Sequence, residues 1–151
     1  MRMGKLLHIF ISPEIGDVMH SMNDIEAITD CGIKGDRYAN PKNRKSPSNQ
    51  ITLIESENIR AFTQETGLPL PPDAPRRNLV TAGINLNQLC GKIFRVGEVV
   101  MEGLELCEPC SNFAKNTYPE TLRFFVHRGG LNARIIRGGL LSIGAKIEEC
   151  A

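Results

Sequence analysis

No apolar run in the 151-residue chain is long enough to cross a bilayer as a helix. The run Leu6-Leu7-His8-Ile9-Phe10-Ile11 follows the basic start Met1-Arg2-Met3-Gly4-Lys5, but it contains a histidine and is cut off by Pro13 and Glu14. That is too short for a secretory h-region. A basic excess is also missing: a net charge of +1 argues against a dedicated nucleic-acid binder. Five cysteines with only one close pair do not make a disulfide framework. There is no internal repeat and no low-complexity tail. What is left is a hydrophobic content of 41% against 23% charged residues, the balance of an ordinary globular chain. The expectation is a single domain over residues 1–151, cytoplasmic and reduced, with neither membrane nor nucleic acid among its partners.

Acidic residues are absent from Thr121 to Ile147, where Arg123, Arg128, Arg134, Arg137 and Lys146 all fall. A second basic run from Lys34 to Lys45 sets Lys34, Arg37, Lys42, Arg44 and Lys45 against Asp36 alone. Familiar catalytic patterns are missing too. Gly139 to Lys146 has the Gly-x4-Gly of a phosphate loop but places Ala145 before the lysine, and Gly91-Lys92 lacks the spacing. No His-x-x-x-His and no Ser-His-Asp arrangement stands out, and His8 reads as a core residue of a strand.

The elements present are mostly strands. Lys5–Ile11, Ile25–Asp30, Gln50–Ile54, Asn78–Thr81, Lys92–Val96 and Glu98–Leu106 carry strand patterns, the last two joined at Gly97. Leu131–Ile136 and Leu140–Glu148 read as two more, with Gly138-Gly139 as a hairpin turn between them. Ser56–Thr66 is the clearest helix, with Ser56 as N-cap and Gly67 then Pro69 as its stop. Leu86–Leu89 reads as one helical turn, and Phe113–Phe125 as two short helical pieces split by Pro119. Asn40–Asn49 is a solvated loop, and Leu68–Pro75, with four prolines, a linker between elements. Several neighbouring strands are joined by turns too short for a crossover. The fold class that fits is mainly β (α+β): a closed or nearly closed antiparallel or mixed β-barrel with a few short covering helices.

Cys107-Glu108-Pro109-Cys110 lies where a strand pattern stops and a helical one begins. Such a junction can lift a thiol out of the core, and Pro109 stiffens the turn between the sulfurs. Four readings are open: half of a structural zinc site, which has no second pair; a thioredoxin-like dithiol, whose upstream β-α-β pattern is missing; two buried structural cysteines; and a single working thiol, with Cys107 at the strand end and Cys110 exposed. Gly35-Asp36-Arg37 reads either as a capped turn or as an arginine aimed at an anion and oriented by its aspartate. Arg76-Arg77-Asn78 admits the same two readings. His127-Arg128-Gly129-Gly130 reads as a plain turn or as a backbone N–H nest beside fixed positive charge.

Taken in order, these pieces resemble the MOSC domain, the module named for the C-terminal domain of molybdenum cofactor sulfurases. The residues that carry the resemblance are Gly32-Ile33-Lys34-Gly35-Asp36-Arg37-Tyr38, Gln50–Glu55, Arg77–Thr81 with Gly83–Asn87, Gly91–Gly97, Leu106–Cys110 and His127–Arg134. The resemblance spans roughly residues 5 to 148. It implies a barrel of the kind also seen in pyruvate kinase, with a functional cysteine at Cys110. In the family that cysteine is thought to carry sulfur as a persulfide or, in some relatives, to bind the molybdenum of the cofactor. Cys107 then has a supporting role. The implied cofactor is molybdopterin-bound molybdenum. The implied partners are a pyridoxal-phosphate-dependent cysteine desulfurase, which holds the pyridoxal phosphate itself, and a molybdoenzyme or its cofactor. Gly35, Asp36, Arg37, Arg77, Asn78, Cys107, Glu108, His127, Arg128, Gly129, Gly130 and Arg134 are the residues expected to surround the ligand.

Barrel closure is expected to bring Cys110 to a mouth near Arg37, Arg77, Arg134 and the His127–Gly130 turn. An arginine-rich surround would favour the thiolate there.

Overall fold

A computed structural model describes residues 3–150. The chain runs β1 (Gly4–Ile11), β2 (His20–Met22), β3 (Asp24–Ile28), β4 (Gly32–Ile33), β5 (Ile51–Glu55), α1 (Ser56–Thr66), β6 (Leu79–Ala82), β7 (Ile93–Val96), β8 (Val99–Leu106), α2 (Ser111–Asn116), α3 (Thr121–Phe124), β9 (Leu131–Arg137), β10 (Gly139–Ser142) and β11 (Lys146–Glu149). Single 3-10 turns cover Arg37–Ala39, Pro41–Asn43 and Leu86–Leu89. Among these residues no helix is long and apolar enough to cross a membrane.

Seven strands close a barrel in the order β1-β6-β5-β9-β8-β7-β11, and β11 returns to β1 through Gly4–Ile147 and Lys5–Lys146. The barrel is mixed, because β5 and β6 run parallel while the other pairs of the ring run antiparallel. The reading of the chain as lacking a β-α-β unit is therefore corrected. Parallel neighbours need a crossover, and here α1 with the proline-rich linker supplies it. β2 extends β1 beyond the barrel, and β10, β3 and β4 form a second, three-stranded sheet.

Alternation in β8 and β9 puts Val99, Met101, Leu131, Ala133 and Ile135 inside, where they meet Leu6, Ile9, Leu53, Leu79, Phe94 and Ile147. β5 is buried at every position because its second face is covered as well. Ile54 and Val80 pack outward against Phe62 of α1, Phe113 of α2 and Phe125. Phe62 lies 5.7 Å from Phe125 and 5.3 Å from Phe124 between ring centres, and Phe113 lies 5.2 Å from Phe125. Burying a phenylalanine this fully contributes about 1.5–3 kcal/mol. This outer cluster docks α2 and α3, and so fixes the segment that begins at Cys110.

Two local readings differ from what formed. Glu55, not Ser56, occupies the N-cap of α1, and its carboxylate is drawn away to the Leu86 N–H (3.3 Å) and the Asn58 amide (3.1 Å). The Gly138-Gly139 hairpin does not exist either: β9 pairs with β5 and β8, whereas β10 pairs with β3, and β10 and β11 are separate strands. At Gly138 a Cβ would lie 2.2 Å from the Ala27 carbonyl oxygen, so these glycines let the chain pass tightly from barrel to second sheet.

Candidate functional site

β8 delivers the cysteine pair to the end of the barrel. After Leu106 the ladder runs one step further, the Cys107 N–H donating to the Gly130 carbonyl at 2.8 Å. Cys107 is half-buried there. Burial pushes its thiol up from its ordinary value. The Arg77 and Lys45 charges pull it back down, with Arg77 the stronger, and Cys110 and Glu105 add to the rise. Pro109 then turns the chain outward, and Cys110 is exposed at the N-cap position of α2 with extended backbone. The two sulfurs are thus unlike: one withdrawn and kept protonated, the other presented to solvent.

The His127–Gly130 turn packs against Cys107. A Cβ at Gly129 would sit 2.1 Å from the Cys107 carbonyl oxygen, and one at Gly130, where φ is +107°, would sit 1.9 Å from the Leu53 carbonyl oxygen. Only glycine allows that approach. Arg77 stitches the two segments together, donating to the carbonyls of Gly129 (2.9 Å), Pro75 (3.2 Å) and Cys107 (3.3 Å), with its guanidinium 5.5 Å from the Phe113 ring centre. Glu108 holds the turn from the other side: one carboxylate oxygen accepts the His127 N–H at 2.7 Å and the other lies 2.6 Å from His127 Nδ1. Asn87 donates to the His127 carbonyl at 2.8 Å. These contacts hold His127 in the left-handed region, φ 59°, which costs a side-chain-bearing residue energy.

The remaining expected residues lie elsewhere or are internally engaged. Asp36 and Arg37 form a buried pair at 3.0 Å. Asp36 also accepts from the Ser12 and Tyr38 N–H groups, and Arg37 donates to the Arg76 carbonyl and covers the Tyr38 ring. Gly35 gives this turn its positive φ of 88°. The motif touches the segment next to Arg77 but does not reach the cysteines. Asn78 is fully buried and latches the barrel, with Thr52 N–H and hydroxyl on its oxygen and its amide on the Phe10 carbonyl. Arg128 lies 4.5 Å over the Phe124 ring, in an open groove with Glu65, Leu122 and Val126. Arg134 faces outward on β9 and pairs with Glu102 (3.3 Å) and Asp30 (3.7 Å), so the structure does not bring it to the site. Two residues missing from the expected set are close instead. Lys45 acts on Cys107, and Asn49 bonds Glu105 at 2.9 Å. Both lie in Asn40–Asn49, which the sequence reads as a solvated loop.

Residues 40–148 match the model of the MOSC domain. The chain belongs to the MOSC family. An uncharacterized relative, YflK of Bacillus subtilis, is 26% identical over 120 residues, covering 77% of this MOSC chain and 54% of YflK, so the match spans about half of that relative's length. The solved structure of YuaD from Bacillus subtilis superposes with a TM-score of 0.80 over 97% of both chains at 18% identity. YiiM of Geobacillus stearothermophilus gives 0.78 at 15% identity, over 98% of this chain and 75% of that one. YiiM of Escherichia coli gives 0.67 at 19% identity, over 100% and 70%. These structural likenesses establish the barrel fold of the MOSC protein.

Among the described residues no group of three or more His, Cys, Asp or Glu could hold a bare metal ion. A metal that arrives inside its own organic cofactor needs as little as one protein ligand, and thiolate is a soft donor suited to molybdenum. The exposed Cys110 of the MOSC domain fits such a group in donor chemistry.

Proposed function

We propose that this MOSC protein is a sulfur carrier associated with the molybdenum cofactor, working through Cys110. The observation that carries the reading is the asymmetry of the cysteine pair: Cys110 is exposed on the turn between β8 and α2, while Cys107 is half-buried with its backbone tied at both ends. A carrier thiol has to reach into a donor's site and afterwards into an acceptor's, which an exposed turn permits and a strand interior does not.

The donor is a pyridoxal-phosphate-dependent cysteine desulfurase, whose active cysteine holds sulfur as a persulfide. The Cys110 thiolate attacks the outer sulfur of that persulfide. A new S–S bond forms at Cys110, the donor's S–S bond breaks, and the donor cysteine leaves as a thiolate, so no outside oxidant or reductant enters. Arg77 fixes the backbone behind the pair, and Glu108 and His127 shape the wall beside it. When bound, the molybdenum cofactor would supply the metal centre to which sulfur is delivered, and Cys110 is the residue that would meet it.

The test is to incubate the protein with a cysteine desulfurase, pyridoxal phosphate and cysteine and to measure intact mass. One added sulfur on the native protein and none on Cys110→Ser is expected. No added sulfur, together with copurifying molybdenum that depends on Cys110, would replace the carrier with a reductase-like module in which Cys110 ligates the metal.

A further inference from the structure

Strand alternation breaks at one place on the wall of the barrel. Leu6 and Ile9 of β1 both point into the core, so Leu7 and His8 between them both face outward. The cause is a bulge: the register of β1 on β6 shifts between Leu6, opposite Thr81, and His8, opposite Val80. A bulge of this kind re-aims a side chain and leaves one residue out of the ladder. From the sequence His8 reads as a core residue of a strand. The extra residue instead turns it out of the barrel, half-buried, with its ring stacked on Phe10 at 5.7 Å between centres.

Leu7 and His8 form one wall of a cleft of about 350 Å³ between β1, α1 and the proline-rich linker. That volume is within the range of small-molecule sites. Its floor is apolar, made by the buried Ile59 of α1, Leu70 of the linker and Val80 of β6. The His8 imidazole, the Arg60 guanidinium and the Thr63 hydroxyl line the same cleft, Arg60 and Thr63 being one turn apart on α1. None of these three side chains has a hydrogen-bond or ion-pair partner among the described residues. The carboxylates nearest along the helix are engaged elsewhere: Glu57 accepts the Gly83 N–H at 2.7 Å, and Glu55 is held by Leu86 and Asn58. Among the described residues that line the cleft, none is acidic.

We propose that this cleft binds a small organic carboxylate with a compact apolar body, Arg60 pairing with the carboxylate and His8 and Thr63 adding hydrogen bonds. All three polar groups can donate, and the apolar floor suits hydrocarbon. One guanidinium supplies one permanent positive charge and a planar fork that matches a carboxylate. A phosphate monoester, with about 1.5–2 negative charges at neutral pH, brings more charge than the cleft offsets. The cleft shares no residue with the cysteine site, so the proposal does not depend on the carrier reading.

The experiment titrates phenylacetate, and phenylacetamide as its neutral counterpart, into the whole chain and follows NMR shifts residue by residue. With about ten non-hydrogen atoms, phenylacetate should bind with a dissociation constant on the order of 1 mM. Saturating shifts should fall on Leu7, His8, Thr63 and Val80, and phenylacetamide should bind several-fold more weakly. Arg60→Gln should weaken phenylacetate roughly five- to ten-fold, the worth of a charged partner discounted for exposure, and leave phenylacetamide unchanged. Arg60 is exposed on α1, so its replacement leaves the core intact, and an unchanged melting temperature is the check. His8→Phe keeps a ring on Phe10 but removes both nitrogens, and it should also weaken phenylacetate more than phenylacetamide.

Shifts that do not saturate at Leu7, His8 and Thr63, or that saturate only at residues elsewhere, overturn the proposal. Equal binding of acid and amide by the native protein overturns it as well, and so does an acid-to-amide ratio unchanged in Arg60→Gln. Inorganic phosphate that displaces phenylacetate at lower concentrations than phenylacetate itself needs would overturn the assignment of a carboxylate.

Discussion

Replacing Arg77 by methionine keeps a stem that can pack on Phe113 and removes the fork that joins the cysteine turn to the His127–Gly130 turn. The Gly129 contact, at 2.9 Å, is the shortest of the three, and those to Pro75 and Cys107 are longer at 3.2 and 3.3 Å. A hydrogen bond from a charged donor contributes about 1.5–3 kcal/mol. Counting the short bond in full and the longer, partly solvated ones at a fraction gives about 3 kcal/mol, with about 0.5 kcal/mol more from the cation over Phe113. For a chain of this size a loss of about 3 kcal/mol lowers the melting temperature by roughly 6–12 °C. Urea unfolding is the assay, and the midpoint should fall with the slope unchanged. Exchange of the Cys107 amide hydrogen should at the same time quicken, because its carbonyl and the glycine turn over it are no longer clamped. Arg77→Lys should recover less than half of the loss, since an ammonium cannot span three carbonyls in one plane. A loss below about 1 kcal/mol, with Cys107 as slow as before, would refute the clamp.

Asn78→Ala should cost about 2–4 kcal/mol in urea unfolding, because the buried Thr52 N–H and Phe10 carbonyl lose their partner; a nearly neutral change would mean that the latch is dispensable. Burial raises the Glu55 carboxyl above its ordinary value of 4.5, with Glu57 adding to the rise, so the folded state binds the proton more tightly than the unfolded chain. Stability should therefore fall as pH rises through the window from 4.5 to the raised folded value. Glu55→Gln should flatten that fall and gain stability at neutral pH, and a pH profile identical to the native one would count against the desolvated carboxyl. Among the five cysteines Cys110 should be alkylated first and Cys107 should require higher pH, as judged by peptide mapping. Equal labelling of Cys31 or Cys150 would contradict the site.

Elements built on short-range pattern were legible. The Ser56–Thr66 helix, the Gly97 turn and the break at Pro119 follow from spacing and from residues that act on their own neighbours. Pairing partners were not. Gly138-Gly139 looks like a hairpin turn because nothing nearby reveals that the strand after it belongs with β3; the Gly138 N–H donates to Thr29 across 109 residues. The same limit applied at the site. That Cys110 would be exposed at a strand-to-helix joint was readable from Leu106, Pro109 and the helical pattern beyond. That Arg134 is not free to meet a ligand was not, because Asp30 and Glu102, which occupy it, come from other parts of the chain. Lys45 was legible only as one of five cations in a basic run, and nothing local singles out the one whose charge reaches Cys107.

Closure of the barrel through β1 and β11 sets the order of events during synthesis. Gly4 and Lys5 must wait for Lys146 and Ile147 before that edge of β1 is covered. At ordinary ribosomal rates the interval is on the order of ten seconds, far longer than a hairpin needs to form. β6, made midway, can cover the other edge earlier, but only after β1 has met a strand from beyond α1. Until β11 emerges, the first residues of β1 present open backbone groups, the kind of edge on which foreign strands add. The seam that completes the native barrel is therefore also its most vulnerable point while the chain is being made.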